Sequence, residues 1–379
     1  MERNKFYTLP LKNVDKALFG KTIPFFQKWL QNSSNNAYWD RVNFNSRMKD
    51  FKPLPALHIS GWFDGDGIGT KLNYAGMVAA GQQNQRLVYG AWQHAVNSST
   101  RLAELDFGSQ STYDLDTLYL RWFDRFLKGI DNKVDREPPV EAFLMGRNEW
   151  RKFSAWPPQE ATMQKWYLHS GGKANGVTGD GKLSPTPPTS KQPADKYVYD
   201  PANPLVPRAI RADIKEGKQS TSLDSSSDES GADRLVYTSG VLKQDVIVAG
   251  PLSAHIQAAT SAKDTDWFVT VSDVFPDGKS IGLVQGIIRA RFHKSFEKPS
   301  LVTPYAINGY DIDLWALGNV FQKGHKIRIL IASSYFPIYD RNLNTGEDIA
   351  TGTRMVKAKQ TVFHEPGHES YLLLPVLPK

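Results

Sequence analysis

The sequence predicts an α/β segment, part of a parallel sheet, followed by an all-β domain of sandwich type, in a jelly-roll arrangement. Two observations carry this expectation. Between residues 51 and 146, short apolar strand patterns alternate with helical ones, which implies βαβ units. From Asp233 onward, apolar or alternating runs follow one another, split by turn residues and with no helical period between them.

Length and composition set the outer bounds. A chain of 379 residues is long enough for two separate cores. Its 40% hydrophobic and 22% charged residues are those of an ordinary globular protein. The net charge of +7 raises nucleic acid as a partner, but no basic run exceeds two residues, so no nucleic-acid partner is expected. Cysteine is absent, which excludes thiol catalysis, disulfides and thiolate metal sites. No apolar run approaches the ~18 residues of a membrane span, so no membrane partner is expected either. The N-terminal stretch MERNKFYTLPLKNVDKALFG has no signal-peptide core.

The elements follow in order. Residues 1–50 hold a short aromatic helical stretch, Ile23 to Leu30, and the pair Tyr38-Trp39. Alone they are too few to bury a core. Ala56 to Ile59 is an apolar strand after Pro55. Ile68 to Ala80 has helical character and closes at Gly81, a C-cap residue. Arg86 to Tyr89 is a second strand. Leu115, Leu118, Tyr119, Trp122 and Phe126 repeat at helical spacing, with Asp114 before them and Gly129 after. Val140 to Met145 is a third strand. Three strands are only the edge of a sheet, and an open apolar edge is unfavourable. Residues 147–233 read as mostly irregular, with SPTPPTS, DPANP and SLDSSSDES as loop chemistry. LVYTSG, DVIVAG, HIQAAT, WFVTVSDV, IGLVQGIIRARF and KIRILIAS then read as strands, and Pro276-Asp277-Gly278 as a turn.

The densest chemical signal is Gly61-Trp62-Phe63-Asp64-Gly65-Asp66-Gly67, directly after the first strand. Ligands of open α/β sheets bind beyond the carboxyl ends of strands. The second strand ends in Tyr89-Gly90-Ala91-Trp92-Gln93-His94, so one strand delivers an acid and its neighbour an imidazole to the same rim. This is the order of α/β-hydrolases, Ser then Asp then His, without its first member. His94 would move the serine proton, and Asp64 would orient His94 and stabilise its cation. Asp66 is the second candidate for the acid. Trp62, Phe63, Trp92 and Tyr38 are candidates to line an acyl pocket, whereas Trp122, Trp150 and Trp156 read as core.

These segments resemble the family of cocaine esterase, α-amino-acid ester hydrolases and Xaa-Pro dipeptidyl-peptidases. The resemblance runs through GWFD (61–64), YGAWQH (89–94), RWFDRFLKG (121–129), PPVEAFLMGRNEWRKFSAWPP (138–158), YVYDPANP (197–204), DRLVYTSGVL (233–242) and DTDWFVTVSDVFPDG (264–278). One departure is Ala91, where the family usually has proline.

The resemblance implies a cap-domain remnant at 1–50, the C-terminal part of an α/β-hydrolase domain at 51–160 and a jelly-roll sandwich at 161–379. It implies a serine hydrolase acting on small esters, amides or short Xaa-Pro peptides, with Asp64 and His94 as acid and base and no cofactor. It inclines the compartment towards the periplasm or secretion. The family's nucleophile sits in a G-x-S-Y-x-G elbow, and this sequence has no G-x-S-Y-x-G; Ser60, Ser170, Ser230 and Ser239 border glycines without forming it. The chain is therefore expected to be inactive alone. A truncated or split frame, completion by a segment or polypeptide carrying the serine, and a non-catalytic sandwich binding protein with a vestigial hydrolase edge stay open. Amine-recognising members use extra carboxylates in the cap, where this chain offers Asn35 and Asn36.

No metal is expected. His364-Glu365-Pro366-Gly367-His368 fits H-E-x-x-H literally, but Pro366-Gly367 breaks the helix that motif needs. Asp64-Gly65-Asp66-Gly67 opens like a calcium loop, yet Ile68 stands at the third ligand position. Gly65, Gly67 and Gly69 lack dinucleotide spacing.

Overall fold

The structure is a computed structural model, and it describes residues 3–207 and 222–378. The N-terminal stretch is a chain of short helices: a 3-10 turn at Arg3–Tyr7, α1 (Val14–Phe19), α2 (Pro24–Gln31) and α3 (Ala37–Asp40). It buries little, with Val14, Asp15 and Met48 below the surface while Phe25 and Trp29 stay exposed.

The α/β segment is a four-stranded sheet in the order β1 (Ala56–Gly61), β2 (Gln85–Gly90), β5 (Val140–Leu144), β6 (Glu149–Phe153). β1 to β2 and β2 to β5 are parallel. α4 (Gly67–Ala79) makes the first crossover, and Gly81 is left-handed after it, at φ 78°. α5 (Leu115–Lys128) starts where the Asp114 side chain accepts from the Thr117 amide and ends at left-handed Gly129. Its apolar stripe, Leu115, Leu118 and Trp122, buries against Val88, Trp92 and Val134. Between the two lies a two-residue hairpin, β3 (Arg101–Leu102) and β4 (Leu105–Asp106). The fourth strand of the sheet was not expected. β6 pairs antiparallel with β5 across a turn in which Gly146 and Asn148 take positive φ. Gly and Asn between two apolar runs is a hairpin signal. Among the described residues, β1 pairs with β2 alone.

The second layer is an eleven-stranded sheet that forms the sandwich. It comprises β7 (Thr162–His169), β8 (Lys182–Ser184), β9 (Asp195–Tyr199), β10 (Leu235–Ser239), β11 (Val246–Thr260), β12 (Asp266–Val274), β13 (Ser280–Arg289), β14 (Asn308–Phe321), β15 (Lys326–Ala332), β16 (Ala358–Phe363) and β17 (Tyr371–Val376). The described part of 147–233 is mostly irregular, as expected, although β6 to β9 also lie within it. One expectation needs correction here. DVIVAG and HIQAAT are one strand, β11, bent by an irregularity between Pro251 and Ser253. Such a bulge lets a long strand change direction without ending. β14 and β16 were missed, although Tyr310, Ile312 and Leu314 alternate with Asp311 and Asp313.

The two layers share one core. Trp62, Tyr89 and Phe143 of the small sheet belong to the same buried cluster as Val248, Trp267 and Leu317 of the sandwich. The seam is also stitched by backbone. The Met145 amide donates to Gly318 at 3.1 Å and the Val320 amide to Met145 at 2.8 Å. No helix among the described residues is long and apolar enough to cross a membrane.

Candidate active site

The carboxyl ends of β1 and β2 carry the site. Beyond them the two loops are tied together: the Trp62 amide donates to Gly90 at 2.9 Å and the Phe63 amide to Trp92 at 3.0 Å. This approach requires Gly61, where a Cβ would stand 2.1 Å from the Trp92 carbonyl oxygen. Asp64 and His94, 30 residues apart in sequence, thereby meet. His94 Nδ1 lies 3.2 Å from Asp64 Oδ1. It is also 3.4 Å from Asp66 Oδ2.

The two carboxylates differ in setting. The Asp64 side chain is 8% exposed and that of Asp66 is 85% exposed. Asp64 accepts from the Ser60 hydroxyl at 2.8 Å and from the Asp66 amide at 3.1 Å. Burial pushes its carboxyl up, but these donors and the His94 imidazole outweigh burial and hold it below the usual carboxylate range. An ionised Asp64 accepts from Nδ1–H of a neutral imidazole, which leaves Nε2 as the basic nitrogen. His94 is 81% exposed, and its Nε2 has no hydrogen-bond partner among the described residues.

A cavity of about 470 Å³ opens beside Asp64, between the acid loop and the sandwich. Trp62, Phe63, Ile68 and Lys71 line one side and Leu283 and Trp315 the other. Burial pushes the Lys71 ammonium down to about 8, against the opposing charge of Asp313. Of the aromatic candidates, Trp62 and Phe63 border this cavity. Trp62 also donates its indole N–H to the Phe143 carbonyl at 2.8 Å. Trp92 lies in the core beneath α5, with its ring beside Trp150. Tyr38 packs edge-on against Trp39 in the N-terminal helices. Neither borders the cavity. Sequence reading missed Lys71, which sits one turn into α4 with no motif around it, and it saw in Ser60 only a serine bordering a glycine, whereas Ser60 lies in β1.

Asp64, Asp66 and His94 bring ligand-capable atoms within 4.8 Å of one another, the one such group among the described residues. A cation there would compete with Asp64 for Nδ1. His364 and His368 are arranged otherwise. Residues 365–368 form a turn, with Gly367 at φ 86°. His364 is buried, and its Nε2 meets Asp195 Oδ2 at 2.9 Å inside the sandwich.

Comparison with known proteins agrees with this architecture. Residues 132–373 match the X-Pro dipeptidyl-peptidase C-terminal non-catalytic domain, and residues 3–96 match the X-Pro dipeptidyl-peptidase S15 family. The chain is 34% identical over 370 residues to cocaine esterase of Rhodococcus sp. (strain MB1 Bresler), covering 96% of this chain and 63% of that protein. A solved α-amino acid ester hydrolase superposes with a TM-score of 0.85 at 28% identity, over 98% of this chain and 63% of the other. An aminopeptidase from a marine sediment Thaumarchaeota archaeon superposes at 0.87 and 26% identity, over 97% and 62%. The chain thus spans less than two thirds of these relatives. A partial parallel sheet sealed onto a jelly-roll sandwich, together with these matches, shows that the chain belongs to the cocaine-esterase and X-Pro dipeptidyl-peptidase family of serine hydrolases.

Proposed function

We propose that this chain supplies the acid and the base of a Ser-His-Asp hydrolase whose nucleophile lies on a segment outside these 379 residues. The whole enzyme would cleave acyl esters, amides or Xaa-Pro peptides through a serine ester. His94 Nε2 takes the serine proton as the serine oxygen bonds to the acyl carbon, and His94 returns the proton to the leaving oxygen or nitrogen as its bond to that carbon breaks. Water then attacks the ester by the same route in reverse. Asp64 stabilises the imidazolium formed in each half. The cavity beside Asp64 is the space for substrate, with Trp62 and Phe63 on its wall.

One observation supports this reading above others: His94 is held through Nδ1 by a partly buried carboxylate while Nε2 faces outward. The sequence's one G-x-S-x-G, Gly278-Lys279-Ser280-Ile281-Gly282, opens the sandwich strand β13 with Ser280 buried and donating to Glu229, so it offers no elbow serine to pair with that nitrogen. The purified chain is therefore expected to hydrolyse p-nitrophenyl acetate no faster than its His94→Ala variant. A His94-dependent burst from the chain alone would overturn the assignment of the nucleophile to another segment. A second reading, a non-catalytic sandwich binding protein, draws on the match of most of the chain to a domain described as non-catalytic.

A further inference from the structure

We infer that Ser60 is a positioning residue for the acid, acting through a buried pair of hydroxyls, Ser60 and Tyr89, beneath Asp64. The inference rests on the reading of Asp64 and His94 as acid and base.

Ser60 is an anomaly in its strand. β1 is a short, largely apolar run, yet near its carboxyl end stands a serine that is 1% exposed. A buried hydroxyl needs a partner. Ser60 donates to Asp64 Oδ2 at 2.8 Å. Its cross-strand neighbour in the parallel register is Tyr89, also 1% exposed, whose hydroxyl lies beside that of Ser60 under Gly67. The lid over the two hydroxyls is Gly67. A Cβ there would stand 2.3 Å from the Tyr89 oxygen and 2.9 Å from the Ser60 oxygen. The first residue of α4 is thus confined to glycine by the hydroxyl pair below it.

The consequence is a division of labour between the oxygens of one carboxylate. Oδ2 is anchored to β1 by Ser60, and Oδ1 faces the Asp66 amide and His94 Nδ1. A carboxylate tied at one oxygen cannot swing about its Cβ–Cγ bond, so the oxygen offered to the imidazole is fixed. Asp66 reaches the same imidazole atom, but its side chain is open to solvent and has no such anchor. The anchor therefore separates the acid from its neighbour. Groups behind a first contact often set its orientation in this way.

The test uses the full 379-residue chain with 13C-labelled aspartate, following the Asp64 carboxyl through a pH titration by NMR. Other titratable groups facing it are His94 and Asp66 on the loops, Lys71 on α4 and Tyr89 on β2, so variants isolate each contribution. Ser60→Ala is expected to raise the Asp64 midpoint and to broaden or lose the hydrogen-bonded Nδ1 proton of His94. Tyr89→Phe should move the midpoint the same way by less. His94→Ala is the control for the pair and should also raise it. If His94→Ala moves the midpoint but Ser60→Ala moves neither it nor the Nδ1 proton, the positioning role is wrong while the acid–base pair stands. If the midpoint ignores His94→Ala, the pair itself fails, and the role of Ser60 with it. Should Ser60→Ala unfold the α/β segment, seen as lost strand amides there with sandwich amides intact, Tyr89→Phe carries the test. An unmoved midpoint in that variant overturns the proposal.

Discussion

At the scale of single residues, the meeting of Asp64 with His94 was legible and what supports it was not. Asp64 and His94 each follow a strand by a few residues, so the parallel period alone put them on one rim. Ser60 and Lys71 carry no such mark, since what they do depends on which neighbours the fold brings to them. Choosing between Asp64 and Asp66 likewise needs burial and hydrogen bonds, because both reach His94 Nδ1 within 3.4 Å. In an enzyme completed with its serine segment, Asp64→Asn is expected to lower kcat by about 10⁴-fold, the cost of a mis-set imidazole tautomer. Asp66→Asn should cost less than about tenfold, since an exposed charge adds little to an ion pair. Steady-state kinetics on the two variants would check this, and equal losses would mean that the carboxylates share the role.

At the scale of elements, what was read correctly had strong local signals. α5 has a cap at Asp114, a stop at Gly129 and a stripe at helical spacing, and it forms where these place it. β7, β8 and β9 were hidden because their flanks are full of Pro, Gly and Ser, and because β7 and β9 each pair with a strand far away in sequence, β17 and β16. β9 begins with a buried acid that no strand pattern suggests. Asp195 is fully buried and accepts from Ser170 and Tyr237 and pairs with His364. Burial pushes its carboxyl up, but His364, the Ala174 amide and the two hydroxyls outweigh burial and bring it below the usual value. A carboxyl lowered on folding adds stability above its unfolded value and loses it as pH falls through the folded one. Asp195→Ala is therefore expected to destabilise the sandwich by about 3 kcal/mol at neutral pH, because buried His364 loses its carboxylate partner. Urea unfolding should show the gap between variant and parent shrinking as pH falls below about 4. A gap independent of pH would mean that packing, not charge, explains the loss.

At the scale of the whole molecule, the fold class was legible because period and turn residues repeat through both layers. The seam was not. Met145, Gly318 and Val320 join β5 to β14 through backbone amides, which leave no trace in side-chain pattern. Sandwich residues such as Leu283 and Trp315 also line the cavity beside Asp64, so the sandwich closes one side of it. The acid and base of this chain are proposed to await a serine from elsewhere. The most direct test co-purifies the chain with a segment of the family's G-x-S-Y-x-G type. Turnover of p-nitrophenyl acetate is then measured for the complex and for the chain alone, each with His94 and with alanine in its place. The expected result is turnover in the complex that vanishes with His94→Ala, and none from the chain alone. Turnover in the complex that survives loss of His94 would contradict the assignment.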